Sequence, residues 1–316
     1  MPQGTHVTST SMTHTLAAEH PVRSSGIALR RAVMGFVYTI PTIIFIVVLF
    51  LTPLVLVVKM SLSKWGLLTG DQGYNFPQNY LLISRNQLFW PAVWFTIEYT
   101  VIVTILLIGI GLGLALLVQT ATRWASVLRT AFLLPVSLGL AAASLLAYGF
   151  YSPNIGPISP PLEAIGLIHD PIAFLGTSLA ALLSTTFLIV WKYAGFYMLV
   201  LVVGLQGISE DLYEAAELDG ASAWQIFWHL TLPLLRPSLS LATILCITGS
   251  LLAFDQFFIL TKGAPDNTTV TAVQVIYREA FQRQNLGTAA ALSIMVLLVL
   301  IIINALQFRF LRGAKD

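Results

Sequence analysis

Charged side chains are scarce in this chain: Asp, Glu, Lys and Arg supply 9% of its 316 residues, where about 25% is usual for a soluble domain. With 57% hydrophobic residues and a mean hydropathy of +0.83, an ordinary soluble fold is excluded, and nearly all of the chain must face lipid or other helices. There is one cysteine, Cys246, so no intrachain disulfide is possible. The five histidines, His6, His14, His20, His169 and His229, are scattered and imply no metal site. None of the five lysines follows a glycine, which rules out a phosphate-cradling G-x-x-x-x-G-K-[ST] loop. Any ATP that drives this chain must be hydrolysed by another polypeptide. No nucleophile, paired carboxylate or histidine cluster falls at membrane depth, which argues against a membrane-embedded enzyme. The net charge of +2 suggests no nucleic-acid partner.

What is present is apolar length. A bilayer core of ~30 Å needs about twenty apolar residues per helix. Six runs meet this requirement: roughly Val33 to Val58, Trp90 to Val118, Leu128 to Tyr151, Phe174 to Gln206, Leu239 to Leu260 and Gly287 to Phe308. The expected fold is therefore an all-α integral membrane protein with six transmembrane helices. Residues 1–32, rich in Thr, Ser and His and without apolar period, are expected to be a disordered cytoplasmic tail. The first run is too long for a signal-peptide core and lacks a small-residue cleavage site. Residues 33–312 form the membrane domain, and 313–316 a short cytoplasmic tail.

Orientation follows from the basic flanks. A cytoplasmic N-terminus puts nine basic residues inside (Arg23, Arg30, Arg31, Arg123, Arg129, Arg236, Arg309, Arg312 and Lys315) and six outside (Lys59, Lys64, Arg85, Lys262, Arg278 and Arg283), with Lys192 left in a span. That bias has the sign the positive-inside rule requires, and it puts both termini in the cytoplasm.

Five of the fourteen acidic residues crowd between the fourth and fifth runs. There Glu210 to Asp219 favours helix, Gly220 permits a sharp change of direction, and Ser222 to Leu230 starts a second short helix that Pro233 closes. The predicted product is a helix-Gly-helix knob at about 207–236, too polar for lipid, that projects from one membrane face. The string Glu214-Ala215-Ala216, three residues, Gly220, nine residues, Leu230-Thr231-Leu232-Pro233 resembles the cytoplasmic coupling loop of permease subunits in binding-protein-dependent ABC importers. Leu230 stands where Ile is usual. Asp219-Gly220-Ala221 resembles the carbohydrate-uptake branch. A second match at Phe254-Asp255, Leu260 to Pro265, Tyr277, Ala280-Phe281 and Gly287 to Ser293 is similar to the leading permease of maltose, glycerol-3-phosphate and trehalose systems, with Ala264 where a second Gly is usual. The resemblance covers roughly residues 33 to 312.

The resemblance implies a sugar or sugar-like solute (a disaccharide, an oligosaccharide or a glycerol phosphate) and alternating access driven by a partner ATPase. It implies a second similar permease, two ATPase subunits that carry ATP and Mg, and an extracytoplasmic solute-binding protein, with no cofactor and no catalysis on this chain. Glu214, Ala215, Ala216, Asp219, Gly220, Leu230, Leu232 and Pro233 would then couple to the ATPase.

The solute path is read from the residues. In the fifth run Cys246, Gly249, Ser250 and Ala253 recur at i, i+3, i+4 and i+7, followed by Asp255 and Gln256. Such a small-residue face either lines a path or packs helices. In the fourth run Trp191, Lys192, Tyr193 and Tyr197 combine aromatic faces, which stack on sugars, with a cation in lipid depth. Lys192 either pairs with Asp255 or Glu98 or serves the helix fold. Gly109 and Gly113 form a G-x-x-x-G pair expected to pack. The alternative class, an ion-gradient-driven secondary transporter, calls for internal repeats and intramembrane carboxylates. The halves show no convincing repeat, and Glu98 and Asp255 are the only acids in or beside a span.

Overall fold

The computed structural model describes residues 25–120 and 122–312, and the chain divides into two compact units between Val55 and Leu56. The first unit is helical: α1 (Ser25–Ile46) continues through a π turn (Val47–Leu51) into the start of α2 (Thr52–Ser61). The tails expected at 1–32 and 313–316 lie outside the described residues except for 25–32. Those residues are helix rather than disordered tail, because Ile27-Ala28-Leu29-Arg30-Arg31-Ala32 consists mostly of strong helix formers that extend the apolar run backwards.

The second unit opens with a two-stranded antiparallel hairpin, β1 (Ser63–Gly66) and β2 (Gly70–Tyr74), and a short helix α3 (Gln78–Ser84). The hairpin is tied by a Lys59–Asp71 ion pair of 2.9 Å, and the lysine holds the exposed Asp71 carboxyl below its ordinary pKa. Long α4 (Phe89–Val118) follows, then α5 (Arg123–Leu133), a 3-10 turn (Leu134–Ser137), α6 (Leu140–Phe150) and short α7 (Ser159–Ala164). The second long helix is α8 (Ser178–Gln206). Next come α9 (Glu210–Leu218), α10 (Ala223–Ile226), a π turn (Phe227–Thr231), α11 (Leu232–Leu234) and α12 (Arg236–Leu251). The unit closes with α13 (Asp255–Leu260), α14 (Ala272–Tyr277), a π turn (Arg278–Gln282) and α15 (Leu286–Arg312).

Among the described residues, five helical stretches are long and apolar enough to cross a membrane, or up to six if one bent pair counts as a span. That pair corrects the expectation of a continuous third helix over Leu128 to Tyr151: its arms, Arg123–Ser137 and Leu140–Phe150, meet at 94°. Leu138 and Gly139 are extended there, just after Pro135 tightens the chain into the 3-10 turn. The fifth run is also interrupted, at Leu252 to Phe254, and the fourth begins at Ser178, capped by the Thr177 hydroxyl, rather than at Phe174.

The core lies where α4, α8 and α12 pack. Tyr99, Val103 and Leu107 of α4 meet Met198, Leu201 and Leu205 of α8, and Ala242 and Cys246 of α12 close the cluster. Small residues bring the backbones together, but not those expected. Gly109 and Gly113 have nothing within 4 Å of where a Cβ would stand, whereas a Cβ on Gly111 would lie 3.0 Å from Cβ of Tyr197. The closest approach is at Gly195, where a Cβ would fall 2.0 Å from the Phe132 carbonyl oxygen. Gly195→Ala is therefore expected to lose roughly 1 to 3 kcal/mol by overpacking, read as a lower melting temperature and yield of purified protein. Gly113→Ala should leave both unchanged.

Candidate functional site

Two assemblies of side chains stand out in the second unit, at opposite ends of the path traced by α12. The first is the acidic segment. Glu210 and Asp211 occupy the first turn of α9, where negative charge favours the helix dipole. The helix ends in a Schellman arrangement: Gly220 N–H donates to the Glu217 carbonyl and Ala221 N–H to the Ala216 carbonyl, both at 3.0 Å. Gly220 has φ of 79°, the left-handed region that the closing turn requires. One residue later Ser222 and Gln225 form a reciprocal capping box that starts α10. The two arms are joined by Tyr213 and Thr231, whose hydroxyl oxygens lie 3.3 Å apart.

The expectation that Pro233 closes the second arm is corrected. The helical path continues through Pro233 into α12, because the π turn before it, closed by Leu232 N–H on the Phe227 carbonyl, leaves both Pro233 and Pro237 in the first positions of new helical stretches. A proline there lacks only an N–H that the helix start does not use. Glu214, Ala215, Asp219 and Gly220 are exposed, while Ala216, Leu230, Leu232 and Pro233 are half-buried along the inner side. Sequence reasoning missed the apolar part of this surface. Leu218 is 89% exposed and Trp224 71%, with Trp228 stacked edge-on at 5.5 Å. Their spacing in an otherwise polar segment was the available signal. Exposed acidic groups and exposed indoles within one short segment are suited to burial by another protein.

The second assembly is a cavity of about 460 Å³ between α4, the bend, α8 and α12, within the size range of small-molecule sites. Of the nine residues proposed for the solute path, Tyr193, Tyr197, Gly249, Ser250, Ala253, Asp255 and Gln256 line it. Trp191 and Lys192 do not: the Trp191 side chain is 45% exposed on another face, and Lys192 is 2% exposed. Neither carboxylate considered for Lys192 pairs with it among the described residues. Its ammonium instead donates to the carbonyls of Pro135 and Val136 at 3.4 Å and to that of Leu138.

The helical spacing proposed for the small-residue face holds only for Cys246, Gly249 and Ser250. Ala253 lies beyond the end of α12, where its carbonyl accepts the Thr271 hydroxyl at 2.8 Å. A Cβ on Gly249 would meet nothing within 4 Å, so the cavity is open there. Tyr99, which the sequence reading passed over, lines the wall and accepts a hydrogen bond from Gln256 Nε2 at 3.1 Å. The other atom of that amide, Gln256 Oε1, is buried and without a partner among the described residues. An unmet buried acceptor is costly unless something donates to it, and a solute hydroxyl would do so. A larger cavity of about 690 Å³ near Tyr148, Tyr151 and Phe258 holds none of the proposed residues. The smaller one combines aromatic faces with an unmet polar atom and adjoins the helix that leads to the acidic segment.

The family model described as binding-protein-dependent transport system inner membrane component matches residues 15–316. Among curated relatives, the lactose transport system permease protein LacF of Rhizobium radiobacter is 30% identical over 288 residues, covering 90% of this chain and 95% of that protein. The probable ABC transporter permease protein YurN of Bacillus subtilis is 28% identical over 286 residues, 90% of this chain and 98% of YurN. The trehalose/maltose transport system permease protein MalF of Thermococcus litoralis is 27% identical, covering 93% and 98%. A chain in the crystal structure of a bacterial alginate ABC transporter, in complex with an alginate-pentasaccharide-bound periplasmic protein, superposes with a TM-score of 0.79 at 22% identity, covering 90% of this chain and 96% of that one.

Proposed function

Because the chain belongs to the family of binding-protein-dependent transport system inner membrane components, we propose that it is the permease subunit through which an ABC importer passes a sugar or sugar-like solute into the cytoplasm. The observation that carries this reading is α12, a single helix of 16 residues that starts beside the acidic segment and ends at Gly249 and Ser250 in the cavity wall. A force applied at the exposed segment moves the wall of the cavity. The relatives named for lactose and for trehalose and maltose support a disaccharide, oligosaccharide or related glycoside as the solute class. Tyr193 and Tyr197 offer ring faces, and Gln256 an amide oxygen, to such a molecule.

The full assembly comprises this chain, a second similar permease, two ATPase subunits and an extracytoplasmic solute-binding protein. ATP and Mg are bound on the ATPase pair. The bent pair counts as one span, giving six membrane crossings with both termini and the acidic segment in the cytoplasm, the sense of the Lys and Arg bias. Glu214, Ala215, Ala216, Asp219, Gly220, Leu230, Leu232 and Pro233 form the coupling surface, with Leu218 and Trp224 as its apolar anchors.

The test is docking. If Glu214 meets a basic groove on the ATPase, reversing its charge removes one partner of a desolvated pair, a loss of ~2 to 5 kcal/mol. Glu214→Lys is expected to abolish co-purification of the ATPase, whereas Glu163→Lys, at the other end of the spans, leaves it intact. Equal retention of the ATPase in the two variants would refute the contact.

A further inference from the structure

The 94° bend between α5 and α6 leaves the Val136 and Leu138 carbonyls without the N–H groups that a continuing helix would offer, while the Pro135 carbonyl keeps one long bond from Leu138 N–H at 3.3 Å. A single buried side chain answers this loss. Lys192 reaches from α8 to the carbonyls of Pro135, Val136 and Leu138, and an ammonium has three protons to give, so its donors and those three acceptors match in number. The ammonium also lies 4.9 Å from the centre of the Tyr193 ring, in cation–π range. Three residues further along α8, Gly195 lets the Phe132 carbonyl approach where no side chain would fit. Val136 and Leu140, on either side of the corner, line the same cavity as Tyr193.

We propose that Lys192 is a positioning residue for translocation: its ammonium stands in for the backbone donors missing at the bend, and in doing so holds the bend and the Tyr193 ring as one wall of the solute cavity. This rests on the transport reading above, but the claim is geometric. The cation serves the wall and never touches solute. Buried polar groups of this kind hold a unique arrangement when every member is satisfied. Removing the cation orphans the Val136 and Leu138 carbonyls in an apolar setting, leaves that of Pro135 with only the Leu138 N–H at 3.3 Å, and frees the two arms to change angle.

The experiment uses the assembled complex in proteoliposomes, with nitroxide labels on cysteines placed at Leu134 and Leu146, exposed positions on the two arms. Cys246 is buried and stays in place. The parent should give one narrow label-to-label distance. Lys192→Met should broaden or shift it and lower the maximal uptake rate about tenfold or more, the factor expected for losing charge-assisted hydrogen bonds. The solute concentration for half-maximal uptake and the ranking of competing solutes should not move. Lys192→Arg should recover much of both signals. Where Lys192→Met fails to assemble, Lys192→Gln carries the test, since its amide keeps two donors and should give an intermediate width. A parent distance with parent uptake in the neutral variants overturns the proposal. So does lost uptake with an unchanged distance, or a changed solute ranking, because either would put the cation on the solute. If the parent complex moves no sugar, the transport reading fails, while the label distances still decide whether Lys192 holds the bend.

Discussion

Gly220→Val is expected to give a complex that inserts and assembles but no longer transports. At φ of 79° Gly220 sits in a conformation that L residues adopt at a cost and β-branched ones hardly at all. The space around it is open: nothing lies within 4 Å of a Cβ built there. The effect is thus conformational rather than a clash, and it falls on the turn alone. Strain of about 1 to 3 kcal/mol is relieved by opening the Schellman turn, which releases the bonds from Gly220 to Glu217 and from Ala221 to Ala216. The capping box of Ser222 and Gln225 then starts its helix in a different direction, and Trp224 is redirected relative to the acidic helix α9. Sugar uptake should fall more than about tenfold, while membrane yield and the melting temperature of the purified protein stay near the parent values. Gly220→Asn, which tolerates the left-handed region, should keep a large part of the activity. Parent uptake in Gly220→Val would remove the coupling assignment.

The acidic segment was legible because its determinants are local. A helix that stops at glycine, restarts at a serine cap and carries acids in its first turn is written in consecutive residues, and hydropathy alone marks the apolar runs. The bend at Leu138-Gly139 was not legible by the same measure, since a turn made of Leu, Pro, Val, Ser, Leu and Gly is as apolar as the helices around it. The break at Leu252 to Phe254 is hidden for the same reason: its lost backbone bonds are answered by Thr271, eighteen residues away in sequence, and by no polar residue of its own. Lys192 could be recognised as unusual but not assigned, because its partners are backbone carbonyls, which leave no trace in side-chain identity, and they lie 54 to 57 residues upstream. Tyr99 was passed over because a tyrosine in an apolar run looks like packing until Gln256 is placed opposite it. The continuation through Pro233 was misread because proline usually ends a helix, and here a π turn resets the hydrogen bonding before it.

Enlarging Gly249 should stop transport without harming the protein, and its neighbour should do the reverse. A side chain on Gly249 projects into the cavity and meets nothing within 4 Å, so Gly249→Phe fills the space that Tyr193, Tyr197 and Gln256 leave open. Replacing a glycine inside a helix also removes a backbone penalty of roughly 0.5 to 1 kcal/mol, so stability is expected to hold or rise slightly. Uptake should fall to background, with solute-stimulated ATP hydrolysis lost alongside it, whereas Gly249→Ala should retain most transport. Ser250, one residue on, is 6% exposed. Although Ser250 also borders the cavity, its low exposure means that Ser250→Leu crowds the packed side of that wall and should cost ~1 to 3 kcal/mol, seen as reduced assembly and a lower melting temperature. The two variants separate a passage from a packing face within a single helical turn. A Gly249→Phe complex that is stable and still transports would rule the cavity out as the solute path. One that no longer folds or assembles would instead assign this part of α12 to packing rather than passage.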